Sequence, residues 1–380
     1  MIALAVFLAI VGVYAFTLTV ANIIAMRSYA PKEDEITTEG PMISVLIPAR
    51  DEETSLPATL EALMIQDYKN YEVIVCDDNS TDGTWEVISR YMQLDKRIHG
   101  IQGTELPDGW RGKVHAMQQL YEAAQGEYIL ITDADIHHAP NSLSYGYSAL
   151  LKNKVDMISG YAKETMKSMW TQVLISASLF ITVFYVLLPL QRKHPKPFFA
   201  MAIGQYLFLK KAILDTLDGF SSMKHIVTDD IELAKLVVRN GYSQQFLDLN
   251  PILRVNMYSH FRDAFNGISR SVFHLTGKAS PFLILLIVLA LFALGLSLPI
   301  SLIIGIVPAI SGSIGVFHLL AFLGALMLYV AWIISALFHN YRLSTAMLGP
   351  CVFILVGWAY LNGLYIHMSK RGMQWRGRQL

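Results

Sequence analysis

Uncharged apolar tracts lie near both ends of the chain, and a polar stretch of short alternating segments separates them. The first tract, residues 1–26, contains no Asp, Glu, Lys or Arg and is long enough to cross the roughly 30 Å hydrocarbon core of a bilayer. It lacks the basic start and the clear cleavage site of a signal peptide, so we expect an uncleaved transmembrane anchor. Arg27 and Lys32 follow it, and the positive-inside tendency therefore predicts that the next domain is cytoplasmic.

The second apolar tract starts near residue 279 and contains Arg342 as its single Asp, Glu, Lys or Arg before residue 369. It predicts a membrane-spanning bundle over residues 281–367, with crossings near 281–300, 316–338 and 346–367. Three crossings would place the basic, aromatic tail, residues 368–380, opposite the polar domain, contrary to the positive-inside tendency. We therefore expect either a helical hairpin between Pro281 and Gly315 or one re-entrant segment, with the tail in the cytoplasm.

A third uncharged tract, residues 168–191, lies inside the polar stretch. If it crossed the membrane, it would cut the polar domain in two and leave the last acidic pair on the other side. Hydroxyl and amide side chains are interleaved along it, and Arg192 and Lys193 follow it. We therefore predict a helix that lies at the membrane interface rather than a crossing.

Between these tracts, short apolar runs alternate with amphipathic segments, a pattern typical of a parallel sheet covered by helices. The pattern predicts strands over residues 43–48, 71–77, 98–102, 127–132 and 156–159. It predicts helices over residues 55–65, 84–91, 113–124, 142–151 and 231–238. This is an α/β, Rossmann-like arrangement, in which ligands bind at the carboxyl ends of the strands.

Composition assigns the chain to membrane proteins, because 53% of the residues are hydrophobic, 16% are charged, and the mean hydropathy is +0.41. Thirty basic residues balance thirty acidic ones, so no nucleic-acid partner is expected. The two cysteines, Cys76 and Cys351, are too few for a disulfide framework or a zinc site. The sequence also lacks the Gly-x-Gly-x-x-Gly and Walker-type glycine loops, which argues against dehydrogenases and NTPases.

Asp133 and Asp135 directly follow an apolar strand and are separated by one residue. If the strand runs on, their side chains share one face and together bind a divalent cation, and carboxylate oxygens suit Mg²⁺ or Mn²⁺. Such a cation would stabilise the negative charge that develops on a departing diphosphate. The alternative is an Asp-rich turn that caps the next helix. His137 and His138 stand nearby, but we expect them to make structural hydrogen bonds rather than to bind metal.

Four polar motifs occur in order along the polar stretch. They are Ile43-Ser44-Val45-Leu46-Ile47-Pro48-Ala49-Arg50-Asp51-Glu52, Val75-Cys76-Asp77-Asp78-Asn79-Ser80-Thr81-Asp82-Gly83-Thr84, Asp133-Ala134-Asp135 and Thr228-Asp229-Asp230. In this order they resemble the successive motifs of family 2 glycosyltransferases, and the resemblance implies an α/β GT-A catalytic domain over residues 40–262. Gly109-Trp110-Arg111-Gly112-Lys113 and Trp375-Arg376-Gly377-Arg378 resemble the membrane-bound branch that glycosylates lipids, including carotenoid, hopanoid and ceramide glycosyltransferases.

The resemblance implies a role for each acidic pair. Asp78 would contact the base and ribose of a nucleotide sugar, with Asp77, Glu52 and Ala49 beside it. Asp230 would be the catalytic base that removes the proton of the acceptor hydroxyl, with Asp229 as its neighbour. Family members commonly carry Glu-Asp at this position, where this chain carries two aspartates. The alternative for both pairs is local, because turn, N-cap and helix-dipole contacts also favour carboxylates there.

Basic and aromatic residues complete the implied donor site. Lys113 begins a helix after a Gly-rich turn, where phosphate binding is favoured, and a solvated surface lysine is the alternative. The tail departs from the Gln-x-x-Arg-Trp motif of cellulose-synthase-like relatives. Trp375, with Arg376 or Arg378, would take the role of that motif, because arginine suits phosphate oxygens. A basic, aromatic tail anchored among lipid headgroups is the alternative.

Together these features predict an integral, multi-pass membrane enzyme with a cytoplasmic catalytic domain. It would be an inverting glycosyltransferase that transfers a hexose from a UDP-sugar such as UDP-glucose to a lipophilic acceptor. A polyprenyl-phosphate sugar transferase and a polysaccharide synthase remain alternatives. A catalytically silent scaffold of a lipid pathway is the non-enzyme alternative, against which the intact acidic pairs argue. A transporter is disfavoured because the predicted crossings contain no Asp, Glu, Lys or Arg.

Overall fold

The computed structural model consists of an α/β domain with long apolar helices before and after it. It describes residues 2–166, 168–179, 184, 186–226, 229–258, 260–275, 281–311, 315–368, 374–375 and 378–379. The strands are β1 (Ile43–Ala49), β2 (Tyr71–Asp77), β3 (Ile98–Gln102), β4 (Tyr128–Ile131), β5 (Ile136–His138), β6 (Met157–Tyr161), β7 (Lys163–Glu164), β8 (Leu207–Lys210), β9 (Gln244–Asp248), β10 (Leu253–Val255), β11 (Gln374–Trp375) and β12 (Arg378–Gln379). The helices are α1 (Ile2–Tyr29), α2 (Leu56–Met64), α3 (Thr84–Leu94), α4 (Gly112–Ala123), α5 (Ser142–Asn153), α6 (Met169–Ile175), α7 (Leu188–Lys193), α8 (Lys211–Leu217), α9 (Asp229–Arg239), α10 (Phe261–Leu275), α11 (Pro281–Ser311), α12 (Val316–Phe338), α13 (Leu343–Met347) and α14 (Gly349–Met368).

Seven strands form the central sheet in the order β3-β2-β1-β4-β8-β6-β9. Neighbouring strands are parallel except at β8, which runs antiparallel to both β4 and β6. Every residue of β2 is buried, and in β1 only Pro48 is partly exposed, as expected for strands that are covered on both faces. The prediction of a parallel sheet is therefore wrong at β8, whose short apolar run gave no sign of its direction.

Two apolar layers cover the two faces of this sheet. Alternation along β1 places Val45 and Ile47 in one layer, which includes α2 and α5, and Leu46 in the other, which includes α4 and α9. The first four predicted strands and the helices between them agree with the observed elements to within a few residues. A smaller sheet, in the order β5-β10-β7, follows Asp135 and pairs Glu164 of β7 with Val255 of β10.

Within the part of the chain that the structure describes, four helices are long and apolar enough to cross a membrane: Ala5–Tyr29, Pro281–Val307, Val316–Phe338 and Gly349–Met368. The first and third of these pack closely at glycines. A Cβ atom added to Gly12 of α1 would overlap the carbonyl oxygen of Gly324 in α12, and one added to Gly324 would overlap the backbone of Leu8. Inside a bilayer, apolar helices associate mainly through van der Waals packing, because the surrounding lipid is as apolar as the helices. Small residues at a crossing favour this packing, since they let the two backbones approach closely.

The first predicted crossing after the α/β domain is longer than expected. α11 is one continuous helix of 31 residues that passes through Gly295 and Pro299. The predicted helical hairpin between Pro281 and Gly315 is therefore wrong, because proline and glycine are tolerated inside apolar helices whose neighbours pack against them. The predicted crossing over 346–367 is also divided, since α13 ends at Met347 and α14 begins at Gly349.

The segment 168–191 is not the single helix that its hydropathy predicts. α6 ends at Ile175, and α7 begins at Leu188 with Pro189 in its first turn. Between them, Tyr14 Oη of α1 donates to the Phe184 carbonyl at 3.1 Å, and Asn22 Nδ2 donates to the Val186 carbonyl at 2.7 Å. The backbone carbonyl groups of Phe184 and Val186 are therefore bound to side chains of α1. Its position at a membrane interface stays a prediction.

Candidate active site

The carboxyl ends of β2, β1 and β4 lie side by side, because β1 pairs in parallel with both neighbours. Ala49 at the end of β1 is opposite Asp77 at the end of β2. The Asp78 N–H donates to the Ala49 carbonyl at 2.8 Å, and Arg50 Nη1 donates to the Asp78 carbonyl at 2.6 Å. The fold therefore brings the first polar clusters to one edge of the sheet.

Local hydrogen bonds occupy part of the first acidic cluster. Asp77 Oδ1 accepts from the Ser80 N–H at 2.9 Å, and Glu52 accepts a hydrogen bond from the Ser55 hydroxyl. The Asp77 side chain therefore makes a local turn contact, and its role in nucleotide binding stays a prediction. Asp78 is buried, at 4% exposure, beside this turn, and its contact with a nucleotide stays a prediction.

Lys113 lies in the first turn of α4, and its Nζ contacts Asp133 Oδ1 at 2.7 Å. The turn before the helix contains Gly109 with a φ of +80°, a conformation that glycine adopts without strain. Burial acts to lower the pKa of Lys113, but the charges of Asp133 and Asp229 outweigh burial and raise that pKa. Lys113 is therefore held as a cation between two acidic pairs rather than extended into solvent.

Asp135 lies at the open side of this cluster. The residue is exposed, yet the protein around its carboxylate restricts hydration and, together with the charges of Asp133 and Glu52, raises the pKa of Asp135 to about 6. Carboxylates that repel one another in this way are stabilised by a cation. Carboxylates are ligands that Mg²⁺ and Mn²⁺ accept, and the binding of such an ion by Asp133 and Asp135 stays a prediction.

Among the residues that the structure describes, no group of three or more His, Cys, Asp or Glu side chains surrounds one metal position. His138 does not extend the pair, because its ring nitrogens lie 3.1 Å from Thr132 Oγ1 and 3.1 Å from Ser142 Oγ. Asp133 and Asp135 are therefore the candidate metal ligands that remain among the described residues.

Asp229 and Asp230 form the first turn of α9. Asp230 Oδ2 accepts from the Gly204 N–H at 3.0 Å, and Oδ1 accepts from the Ile231 N–H at 2.8 Å. Burial and the charge of Asp229 outweigh these bonds and raise the pKa of Asp230 to about 6. Burial, countered by Lys113, also raises the pKa of Asp229. The second and third acidic pairs therefore share one electrostatic environment around Lys113.

The predicted tail residues are described only in part. Trp375 pairs with Arg378 in the two-stranded ribbon of β11 and β12. Arg376 lies outside the described residues. The roles of these three residues stay predictions.

The sequence analysis did not identify several residues of this site, because they lie between the motifs in the sequence. Gly204 and Gln205 precede β8, and Thr132 Oγ1, next to Asp133, donates to the Gln205 carbonyl at 2.9 Å. Burial raises the pKa of Glu164 in β7 to about 8, and its Oε2 is buried without a hydrogen bond among the described residues. None of them belongs to a motif, and the chain reversal at β8 that places them is not visible as periodicity.

The order of the strands and the acidic edge of the sheet are those of a GT-A domain, and comparison with known proteins agrees. A mannosyltransferase from Pyrobaculum calidifontis, PcManGT, solved with GDP-Man and Mn²⁺, superposes with a TM-score of 0.52 at 19% identity. The match covers 95% of this chain and 99% of that one. At this identity the likeness shows the fold, a GT-A domain accompanied by further helices.

Residues 44–215 match the family described as "Glycosyl transferase family 2". This part of the chain is a family 2 glycosyltransferase domain, and the recognition made from the motifs is confirmed. The match includes Asp78, Lys113, Asp133 and Asp135 and ends before Asp230.

Two curated relatives illustrate the similarity. The chain is 33% identical over 103 residues to UDP-Glc:alpha-D-GlcNAc-diphosphoundecaprenol beta-1,3-glucosyltransferase WfaP of Escherichia coli, covering 27% of this chain and 39% of that protein. It is 26% identical over 208 residues to the beta-monoglucosyldiacylglycerol synthase of Nostoc sp., covering 53% of this chain and 42% of that protein. The aligned regions thus span less than half of either relative.

Proposed function

We propose that this protein transfers a hexose from a nucleotide sugar to a lipid-type acceptor, with inversion at the anomeric carbon. The observation that carries the proposal is that the Asp230 carboxylate and the Lys113 ammonium group both lie next to Gly204. A Cβ atom added to Gly204 would lie 3.5 Å from Lys113 Nζ and 3.8 Å from Asp230 Oδ2. A carboxylate with a raised pKa thus adjoins a cation suited to phosphate, as a base beside a departing diphosphate requires.

Asp230 would accept the proton of the acceptor hydroxyl as its oxygen attacks the anomeric carbon opposite the diphosphate. The new carbon–oxygen bond forms while the bond to the diphosphate breaks, and the diphosphate leaves with the electron pair. Lys113 lies where its charge would stabilise that leaving group. A divalent cation held by Asp133 and Asp135 would supply Lewis-acid stabilisation of the same charge. Asp78 would contact the base and ribose.

UDP-glucose is the donor that we propose, and a membrane lipid carries the acceptor. The names of both curated relatives support this, because one includes UDP-Glc and a diphosphoundecaprenol carrier and the other a diacylglycerol. The four apolar helices support a multi-pass membrane protein, in which a lipid acceptor reaches the domain from the bilayer. The cytoplasmic position of the catalytic domain is inferred from Arg27 and Lys32 after α1.

The test uses the purified full chain in detergent with radiolabelled UDP-glucose, bacterial lipid extract and Mg²⁺ or Mn²⁺. Asp230→Asn should lower transfer by about 10²–10⁴-fold, the range for loss of a general base, with UDP affinity retained. Asp135→Ala should instead weaken metal-dependent UDP binding. Asp215→Asn, a control on the exposed face of α8 whose side chain is 53% exposed, should leave both unchanged.

Full transfer by Asp230→Asn would reject the base assignment, and unchanged UDP affinity of Asp135→Ala in Mn²⁺ would reject the metal assignment. No release of UDP by the unmodified protein under either ion would favour the catalytically silent scaffold.

A further inference from the structure

We propose that the exposed loop of residues 194–199 binds the anionic headgroups of membrane lipids and so holds the candidate active site against the bilayer. This contact would not depend on which sugar or acceptor the protein uses. Four features of the loop carry the inference: its charge and exposure, its fixed conformation, its distance from the apolar part of α1, and its connection to Asp230.

The loop combines exposed basic and aromatic side chains with a stretch of chain that contains no acid. Residues 165–214 include six Lys or Arg and no Asp or Glu. Lys196 and Phe198 are both exposed, Phe198 at 64%. Glu232 of α9, the helix that the loop packs against, forms ion pairs with two basic residues of its own helix. Basic residues beside an exposed apolar ring suit a surface of anionic lipid.

Hydrogen bonds and prolines hold the loop in one conformation. Gln191 of α7 is 1% exposed, and its Nε2 donates to the Phe199 carbonyl at 2.8 Å. The Oε1 of the same side chain accepts from the Phe246 N–H of β9 at 3.0 Å. Two prolines within the loop restrict its backbone further. The exposure of Phe198 is therefore a fixed property of the fold, so binding would require little ordering of the loop.

The loop begins close to the apolar part of α1. Asn22, which lies inside the apolar span Ala5–Tyr29, binds the Val186 carbonyl and the Leu188 N–H at the start of α7. α7 has six residues and a length of about 9 Å, so the loop after it begins within about 9 Å of Leu188. The headgroup region adds roughly 5–8 Å on each side of the hydrocarbon core. A loop at this distance from Asn22 is therefore within reach of lipid headgroups.

The loop is also connected to the candidate base. Its Pro197–Phe199 turn packs against α9, whose first turn contains Asp230. The chain then passes Ile203, whose carbonyl accepts from Ser159 Oγ of β6 at 3.1 Å and whose N–H donates to the same oxygen at 2.9 Å. The next residue, Gly204, donates its N–H to Asp230 Oδ2 at 3.0 Å. Headgroups bound to the loop would therefore keep the base beside the bilayer that carries a lipid acceptor.

The experiment uses the full chain in nanodiscs and measures the fluorescence of a tryptophan added at one of two sites of similar exposure. Phe198→Trp tests the loop. Leu94→Trp is the matched control, because Leu94 is 63% exposed at the end of α3, which packs against β3 at the sheet edge opposite β9. The discs contain phosphatidylcholine alone or with about 30% phosphatidylglycerol, and both carry a lipid that is spin-labelled at its headgroup.

We expect the spin label to quench the added tryptophan of Phe198→Trp at least about twofold more than that of Leu94→Trp, and phosphatidylglycerol to increase this quenching. Lys196→Gln in the Phe198→Trp protein should remove the increase, as should about 0.5 M salt, because salt screens charges at a surface. Equal quenching at the two sites would overturn the membrane contact. Equal quenching in the two kinds of disc would overturn the preference for anionic lipid. The same increase produced by inorganic phosphate in phosphatidylcholine discs would assign the loop to a soluble anion and overturn the lipid assignment.

A transfer assay tests the connection to Asp230 separately. In discs of bacterial lipid extract, the double variant Lys196→Gln, Phe198→Ala should lower transfer from UDP-glucose by about fivefold, with the KM for UDP-glucose changed by less than about twofold. In an uncharged detergent with the same extract, we expect the double variant and the unmodified protein to differ less. An unchanged rate of the double variant in discs would overturn the connection. No transfer by the unmodified protein would reject the proposed function, and the quenching experiment would still decide the membrane contact.

Discussion

At the scale of single residues, the properties of Asp230 follow from opposing contacts on its two oxygens. Main-chain N–H groups of Gly204 and Ile231 stabilise the ionised carboxylate, while burial and the charge of Asp229 destabilise it. The destabilising contributions are larger, so the pKa of Asp230 rises to about 6. In the proposed role of base, Asp230 would hold a proton more readily than an ordinary aspartate does.

The pH dependence of the transfer rate should reveal the raised pKa of Asp230. Transfer should be full above about pH 7 and should fall about tenfold per pH unit below the pKa of Asp230, because the protonated carboxyl cannot accept the acceptor proton. Asp229→Asn removes the second cause of the increase, so it should move this acidic limb to lower pH. Rates of transfer between pH 4.5 and 8, normalised for each variant, provide the measurement.

Asp215→Asn is the control for this shift and should keep the limb of the unmodified protein. An acidic limb that stays in place in Asp229→Asn would contradict the proposed interaction between the two aspartates.

At the scale of elements, the contact between α1 and α12 depends on the absence of side chains at Gly12 and Gly324. The two helices are more than 300 positions apart in the chain, yet their backbones touch at these glycines. Near their carboxyl ends, the Arg27 guanidinium lies 5.4 Å from the centre of the Phe338 ring. α1 is therefore a packed part of the helical bundle and not an isolated anchor.

Substitution at this crossing should destabilise the protein. Gly324→Ala would place its Cβ against the backbone of α1, which cannot move as a side chain does, and we expect a loss of about 1–3 kcal/mol, as for overpacking. Thermal unfolding in detergent should show a lower midpoint. Gly315→Ala is the matched control, since its Cβ would lie 3.7 Å from the nearest atom. Equal midpoints for the two variants would show that the helices are not held at this contact.

At the scale of the whole molecule, α14 stays beside helices that are joined to the catalytic domain. Its Leu355 packs with Leu174 of α6 and Ala264 of α10, and Asn362 Nδ2 donates to Ser269 Oγ of α10 at 3.1 Å. α10 carries Arg262, Asp263 and Arg270, as expected for a helix at a membrane surface. These contacts join α14 to the helices next to the α/β domain, and the re-entrant segment stays a prediction.

We therefore predict that the carboxyl terminus and the catalytic domain are on the same side of the membrane. A protease-cleavable tag after Leu380 and a second tag inserted at the exposed Glu39 should be cleaved in the same population of sealed vesicles. Cleavage of the two tags in vesicles of opposite orientation would show that α14 crosses completely.

Sequence patterns were sufficient where structure is local. β1, β2 and β4 are apolar runs that end in acidic clusters, and the helices after them have the expected periodicity. The direction of β8 was not predictable, because it depends on pairing with β4 and β6 far along the chain. The break in segment 168–191 likewise depends on side chains of α1. Asp230 was found as part of a motif, whereas Glu164 is placed by tertiary contacts alone.

The buried amide of Asn22 has a practical consequence. Its Nδ2 donates to the Val186 carbonyl, and its Oδ1 accepts from the Leu188 N–H at 2.9 Å, so one side chain satisfies two backbone groups across 164 and 166 positions. Removing the N-terminal helix would leave both groups unsatisfied, at about 1–3 kcal/mol each. Studies in vitro therefore call for a chain that keeps its N-terminal helix, because Asn22 of that helix completes the backbone of the segment that leads back into the α/β domain.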